Sequence, residues 1–418
     1  VRIPALPGVA HRRTLANGLR VLVLENRQAP IVTTALTYRI GARDDPNRLA
    51  GLAHFLEHVM FKGSDRYAAG EIDAVAQRLG GDVNAMTWHD ATSYVSQFAA
   101  DRWHQILPIE ADRMSSLRLD PVEVERERDV IAEEIATAND DPWQELEDRV
   151  HAVFFGHHPY GRPILGTAEA LSRVTVGDLA EWHAQYYGPS NAVLTIAGDV
   201  GADALERAEA AFGAVPSRGT SRSPIGERRP GSGRRTLEVR SGTLPRWYAV
   251  LPCPHPEKSD FASVRMAAAL LGFGRLSRLQ QELVDQERLL TSVACTVLDT
   301  LEAGCVAISA EPSPGVTLED VEAGVWRVVR GLVERPPENR ELERTRRLLL
   351  SDWVFAHESI SDQAVVASFA EACQRLDTPR KHLEDVVAAD AASVSHAVER
   401  WLAPDRESTV GWCTPERS

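Results

Sequence analysis

The sequence predicts an α+β protein of two similar, duplicated domains, each an antiparallel-rich sheet packed with helices. Three observations lead there. A chain of 418 residues is too long for one ordinary core and suits two domains of about 200 residues. A strand–strand–helix rhythm occurs near the start and returns in the second half. Between the two copies lies a stretch rich in Pro, Gly, Ser and Arg with almost nothing to bury, which reads as an exposed linker. The expected division is 1–215, a linker over 216–235, and 236–418.

The elements follow from local pattern. Residues 18–24 and 32–40 carry apolar, β-branched residues around a turn and predict two strands. Helical periodicity predicts helices over 50–61, 70–79, 101–117, 121–155, 176–187 and 202–212. Strands are expected at 82–88, 92–99 and 191–198. Past the linker, strands at 236–240 and 246–252 precede a helix at 260–271, as the first two strands precede 50–61. Strands at 291–299 and 304–310 then lead into long helices.

Composition narrows the function. The net charge of −14 lacks the basic patch that nucleic-acid phosphates require, so no nucleic-acid partner is expected. No apolar run approaches the roughly 20 residues of a membrane span. The five cysteines lie in the second half without C-x-x-C spacing and read as free or buried thiols. Cys295 and Cys305 are placed so that they could face each other on adjacent strands. His89, His104, His157 and His183 have no partner at ligand spacing and read as surface or structural histidines.

The chemistry concentrates in His54-Phe55-Leu56-Glu57-His58. On a helix, His54, Glu57 and His58 fall on one stripe, and Leu52, Phe55, Leu56 and Val59 on the other. One face can pack into a core while the other holds a metal ion and a general base. Such an H-x-x-E-H arises by chance roughly 0.03 times in a chain of this composition. A catalytic zinc of this kind needs a third protein ligand and an open position for water. Glu127 and Glu134, seven positions apart, share one face of a later helix, although an acidic helix face by itself ordinarily meets solvent.

H-F-L-E-H followed by Met60-Phe61-Lys62-Gly63, with Glu134 placed 76 positions beyond His58, resembles the M16 metallopeptidases, the pitrilysin and mitochondrial processing peptidase family. Gly80-Gly81-Asp82-Val83-Asn84-Ala85 with Thr87, Asp90, Thr92 and Tyr94 looks like the family's substrate-edge strand. His158 to Gly166 looks like a family loop, and Gly272 through Ser277-Arg278-Leu279 to Val293 like a stretch of its second domain. The resemblance implies Zn2+ held by His54, His58 and Glu134, with Glu57 as the base and Glu127 supporting the site. It implies a peptide substrate added as a strand at Asn84 and Ala85, and two domains facing each other around a cavity. Bacterial members of this paired kind often look exported, which leans toward the periplasm without fixing the compartment.

One departure stands out. Active single-chain members carry an Arg and, seven positions on, a Tyr in the second domain, which steady the developing oxyanion. The alignment places Val284 and Thr291 there, and the last tyrosine of the chain is Tyr248. In two-subunit members one chain keeps the zinc motif and the other keeps the Arg–Tyr pair. The expectation is therefore a zinc endopeptidase subunit whose homologous partner supplies that pair. The competing expectations are a self-sufficient homodimeric peptidase and a non-catalytic scaffold subunit like the core proteins of respiratory complexes.

Overall fold

The computed structural model describes residues 10–373 and 378–415. Two mixed sheets form its frame. The first contains β1 (His11–Thr14), β2 (Arg20–Glu25), β3 (Ile31–Tyr38), β4 (Asp82–Thr87), β5 (Thr92–Ala99) and β6 (Ala192–Gly198), in the order β1-β2-β6-β3-β5-β4. The second contains β7 (Gly233–Arg240), β8 (Arg246–Pro252), β9 (Leu290–Asp299), β10 (Gly304–Pro312) and β11 (Glu407–Thr414), in the order β7-β11-β8-β10-β9. One order maps onto the other. β2 pairs parallel with β6, and β7 parallel with β11, while the remaining pairs are antiparallel. Apart from β1, which has no counterpart among the described strands of the second sheet, the expected duplication is thus present, with β4 and β9 as equivalent edges.

The helices differ from the sequence reading at one instructive place. The single helix expected over 121–155 is two, α4 (Pro121–Asp140) and α5 (Pro142–Phe155). Pro142 has no amide hydrogen to continue α4 and drives Asp141 out of the helical region, to φ −81°, ψ 112°. The Asp141 side chain then caps α5 by accepting from the Trp143 amide at 2.8 Å. The other helices that matter here are α1 (Leu52–Val59), α2 (Glu71–Leu79) and α3 (Leu107–Ser115), the last shorter than the expected 101–117.

The break lets each half lend a helix to the other. α5 buries Leu146, Val150 and Phe154 against Val239, Tyr248, Val250, Cys305 and Ala307 of the second sheet. The helix Ile360–Ala372 lays Ile360, Ala364 and Ala372 on Leu22, Leu24, Ala35 and Val193 of the first sheet. Each fully buried Leu or Phe is worth about 1.5–3 kcal/mol, so the exchange binds the halves into one unit. Its closeness shows at Gly411 of β11, where a Cβ would lie 2.4 Å from Val150 Cγ2.

The linker is not simply exposed. It has no regular structure before β7 begins at Gly233, but arginines fasten it. Arg218 donates to the Ser115 carbonyl at 3.2 Å, and Arg228 pairs with Glu407 at 2.7 Å across the face of Phe154. A stretch whose apolar contact with the core is Ile225, packed on the cluster of α5 and the second sheet, is held mainly by charged side chains reaching buried acceptors. The equivalent hairpin tips also meet, since the Leu301 amide donates to Asp90 Oδ2 at 2.8 Å. Cys295, Cys305 and Cys413 are free thiols. The strand register sets Cys295 opposite Ile308 and Cys305 opposite Leu298, which rules out the facing pair. No described helix is long and apolar enough to cross a membrane.

Candidate metal centre and active site

α1 starts at Gly51, whose φ of +95° favours glycine and whose Cβ would strike the Leu165 carbonyl oxygen at 2.5 Å. Asp45 holds this start. Its two carboxylate oxygens accept from the Gly51 amide at 2.7 Å and the Ala53 amide at 3.0 Å. Burial pushes the Asp45 carboxyl up to about 7 against the pull of those two amides. Leu52, Phe55, Leu56 and Val59 all enter the first core, so the amphipathic stripe sets the roll of the helix. His54, Glu57 and His58 are left on the side that faces α4.

On α4, Val124, Ile131 and Ile135 enter the same core. Glu127 and Glu134 turn toward α1. His54 Nε2 lies 3.7 Å and His58 Nε2 3.5 Å from Glu134 Oε2, and the three donor atoms fall within 4.8 Å of one another. Tetrahedral zinc with bonds of 2.0–2.1 Å separates its ligand atoms by about 3.4 Å, so the donor set fits that ion. Burial, then the neighbouring His58, lowers His54 to about 4, which keeps its imidazole neutral as a ligand must be.

The outer contacts of the two histidines differ. His58 Nδ1–H donates to Glu127 Oε2 at 3.2 Å; a carboxylate can only accept, so the tautomer leaves Nε2 free toward Glu134. His54 Nδ1 is buried and makes no hydrogen bond among the described residues. Lys62 Nζ approaches the other Glu127 oxygen at 2.7 Å.

Glu57 lies between the histidines in sequence and is held by the edge strand, because Thr87 Oγ1 donates to Glu57 Oε2. Burial raises the Glu57 carboxyl; the Thr87 bond and His58 oppose that, and Glu134 adds to it. Val83 and Ala85 of β4 face the core that contains α1, and Met86 faces the opposite side. Asn84 is a strand residue, exposed, and its side-chain oxygen accepts from the Ala85 amide at 2.8 Å. β4 ends its sheet, so among the described residues its outer edge pairs with no strand.

In the second half, Val284 packs against the core and Thr291 Oγ1 donates to the Glu311 carbonyl at 3.3 Å. Neither offers a cation or a phenol. Arg278 is occupied in a two-pronged pair with Glu341 at 2.9 and 3.0 Å. Sequence reasoning missed Asp45, six positions ahead of the glycine whose amide it accepts. It placed Thr87 on the edge strand without its bond to Glu57, although Thr87 shares the alternation of Val83 and Ala85.

Comparison with known proteins identifies the family and the fold. Residues 20–168 match the family described as Insulinase (Peptidase family M16), and residues 173–349 match the Peptidase M16 inactive domain. The chain is 31% identical to an uncharacterized zinc protease of Mycobacterium tuberculosis, over 80% of this chain and 76% of that one. It is 29% identical to the zinc protease PqqE of Helicobacter pylori, over 84% and 81%. Its fold superimposes on the crystal structure of a protease from Helicobacter pylori with a TM-score of 0.91 and 24% identity, covering 98% and 100% of the two chains. The periplasmic protease PqqL of Escherichia coli gives a TM-score of 0.82 at 16% identity, covering 99% of this chain and 48% of that one. The chain belongs to the M16 family of peptidases.

Proposed function

We propose that this chain is the zinc-bearing subunit of an endopeptidase that cleaves peptides or unfolded segments. The observation that carries the reading is the convergence of His54 Nε2, His58 Nε2 and a Glu134 oxygen within 4.8 Å, with Glu57 on the same helix as both histidines. His54, His58 and Glu134 hold the ion, which when bound supplies Lewis acidity and a nucleophile at neutral pH. Glu57 takes the proton of the attacking water and returns it to the leaving amine. Thr87 keeps the Glu57 carboxylate aimed, and Glu127 fixes the His58 ring.

The substrate lies along β4. A peptide added at Asn84 and Ala85 gains backbone hydrogen bonds that are indifferent to its sequence. Asn84 Oδ1 covers the Ala85 amide at 2.8 Å and swings aside when that amide receives a carbonyl. The chain has no Arg–Tyr pair at Val284 and Thr291, so the oxyanion donors come from a homologous partner subunit. One such donor is worth roughly 3–4 kcal/mol. The test is zinc content together with hydrolysis of a quenched-fluorescent peptide library, by the chain alone and mixed with an M16 homologue carrying Arg and Tyr. One zinc per chain and hydrolysis only in the mixture support the reading. Ordinary turnover by the chain alone removes the partner from it.

A further inference from the structure

Glu127 spends its two oxygens on different residues. Oε2 accepts from His58 Nδ1 at 3.2 Å, and Oε1 meets Lys62 Nζ at 2.7 Å. Among the described residues these are the polar contacts of that carboxylate, whose side chain is 9% exposed. A carboxylate so sheltered is costly unless it is paired, and one with a single hydrogen bond is free to turn about its last torsion. Lys62 removes both problems, because a cation on Oε1 fixes the plane in which Oε2 is presented to the imidazole.

Lys62 itself is placed rather than loose. It sits on the turn that closes α1, where its amide donates to the Val59 carbonyl at 3.0 Å. The next residue, Gly63, has a φ of +117°, and its carbonyl accepts from the Arg118 amide at 3.2 Å. The turn that closes the histidine-bearing helix thus carries, four positions past His58, the cation that steadies the acceptor for that histidine. Among the described residues His54 has no counterpart to this arrangement, since its Nδ1 makes no hydrogen bond there.

We propose that Lys62 is a positioning residue of the metal centre, which through Glu127 fixes the tautomer and the rotation of His58 and so sets the affinity for zinc. The proposal rests on the reading of His54, His58 and Glu134 as the ligands. An ordinary surface ion pair would have no such effect on a metal.

The experiment measures the zinc dissociation constant of the full chain by competition with a chromophoric chelator, and the melting temperature of the metal-free protein. The variants are Lys62→Met, Lys62→Gln, Lys62→Arg, Glu127→Gln and Glu127→Gln combined with Lys62→Met. Outer contacts of metal-bound histidines typically govern about 10–100-fold in affinity, so Lys62→Met and Lys62→Gln are expected to weaken zinc by about tenfold. Lys62→Arg restores most of the loss, and Lys62→Met adds nothing once Glu127→Gln is present. Unchanged affinity in both neutral variants, beside tight wild-type binding, overturns the role of Lys62 alone. An equal loss in the Glu127→Gln background overturns the route through Glu127. A wild-type chain that takes up no zinc overturns the ligand reading, and the proposal with it.

Discussion

Thr87, the last residue of the edge strand β4, donates its hydroxyl hydrogen to Glu57 Oε2 on the helix that carries both histidines. The strand proposed to receive the peptide and the base proposed to act on it are therefore in direct contact. A hydrogen bond to a charged group contributes about 1.5–3 kcal/mol. Thr87→Val is expected to lower kcat by roughly ten- to a hundredfold, with zinc content and KM close to wild type, whereas Thr87→Ser keeps most of the rate. Steady-state kinetics of the active assembly check this. A loss confined to KM would assign Thr87 to substrate binding instead.

Asp45 holds the start of α1 through the Gly51 and Ala53 amides. Removing such a cap costs about 0.5–2 kcal/mol. Asp45→Ala should reduce stability in urea by that amount and weaken zinc uptake as well, because the first turn of α1 contains His54. Unaltered zinc binding in a destabilised Asp45→Ala would separate the cap from the metal site.

Acid should destabilise the protein through its buried histidines. Burial lowers His89, His151 and His183 each to about 4, against 6.5 for the free side chain. The folded state then binds fewer protons than the unfolded chain, so the stability these histidines carry is complete above about 6.5 and is lost as pH falls toward 4. Each contributes at most about 1.4 kcal/mol per pH unit in that window. Asp45, raised to about 7, works in the opposite sense and cancels the slope of one histidine. His54, likewise lowered to about 4, adds a fourth histidine when no metal is bound, so urea unfolding of the metal-free protein from pH 7 to 4.5 should show a net uptake of up to about three protons. Stability independent of pH over that range would show that the histidines are hydrated.

The exchanged helices make the halves interdependent. Gly411→Ala brings a Cβ to 2.4 Å from Val150 and should cost about 1–3 kcal/mol through overpacking between α5 and the second sheet. The unfolding transition should remain single and move as a whole. A split transition would mean that the halves unfold separately.

Much of this was legible in the residues. The H-x-x-E-H stripe and the shared face of Glu127 and Glu134 follow from helical spacing, while the roles of the two glutamates came from the family resemblance, and the structure brings His54, His58, Glu134 and Glu127 together. Nine of the eleven described strands were legible from local runs of apolar and β-branched residues, whereas β1 and β11 were not, and β11 is the partner that completes the second sheet's parallel pair. The break at Asp141-Pro142 was written in the proline but was overridden by a long run of helical periodicity on both sides. The exchange of α5 and the helix Ile360–Ala372 was not legible, because which sheet an apolar helix face covers is decided by tertiary packing. The anchored linker escaped for a related reason, since composition shows that arginines are present and not which carbonyls they reach. Asp45 and the Lys62 contact were hidden because a cap six residues away and an ion pair between two helices leave no periodic trace.

The measurement that tests the central claim most directly is made on Glu57→Gln. The variant keeps the shape and removes the group proposed to move the proton. Loaded with zinc and combined with an Arg–Tyr homologue that makes the wild-type chain active, it should hold one zinc per chain and lose at least about a hundredfold in peptide hydrolysis. Full hydrolysis by Glu57→Gln would contradict the account by removing Glu57 from the chemistry.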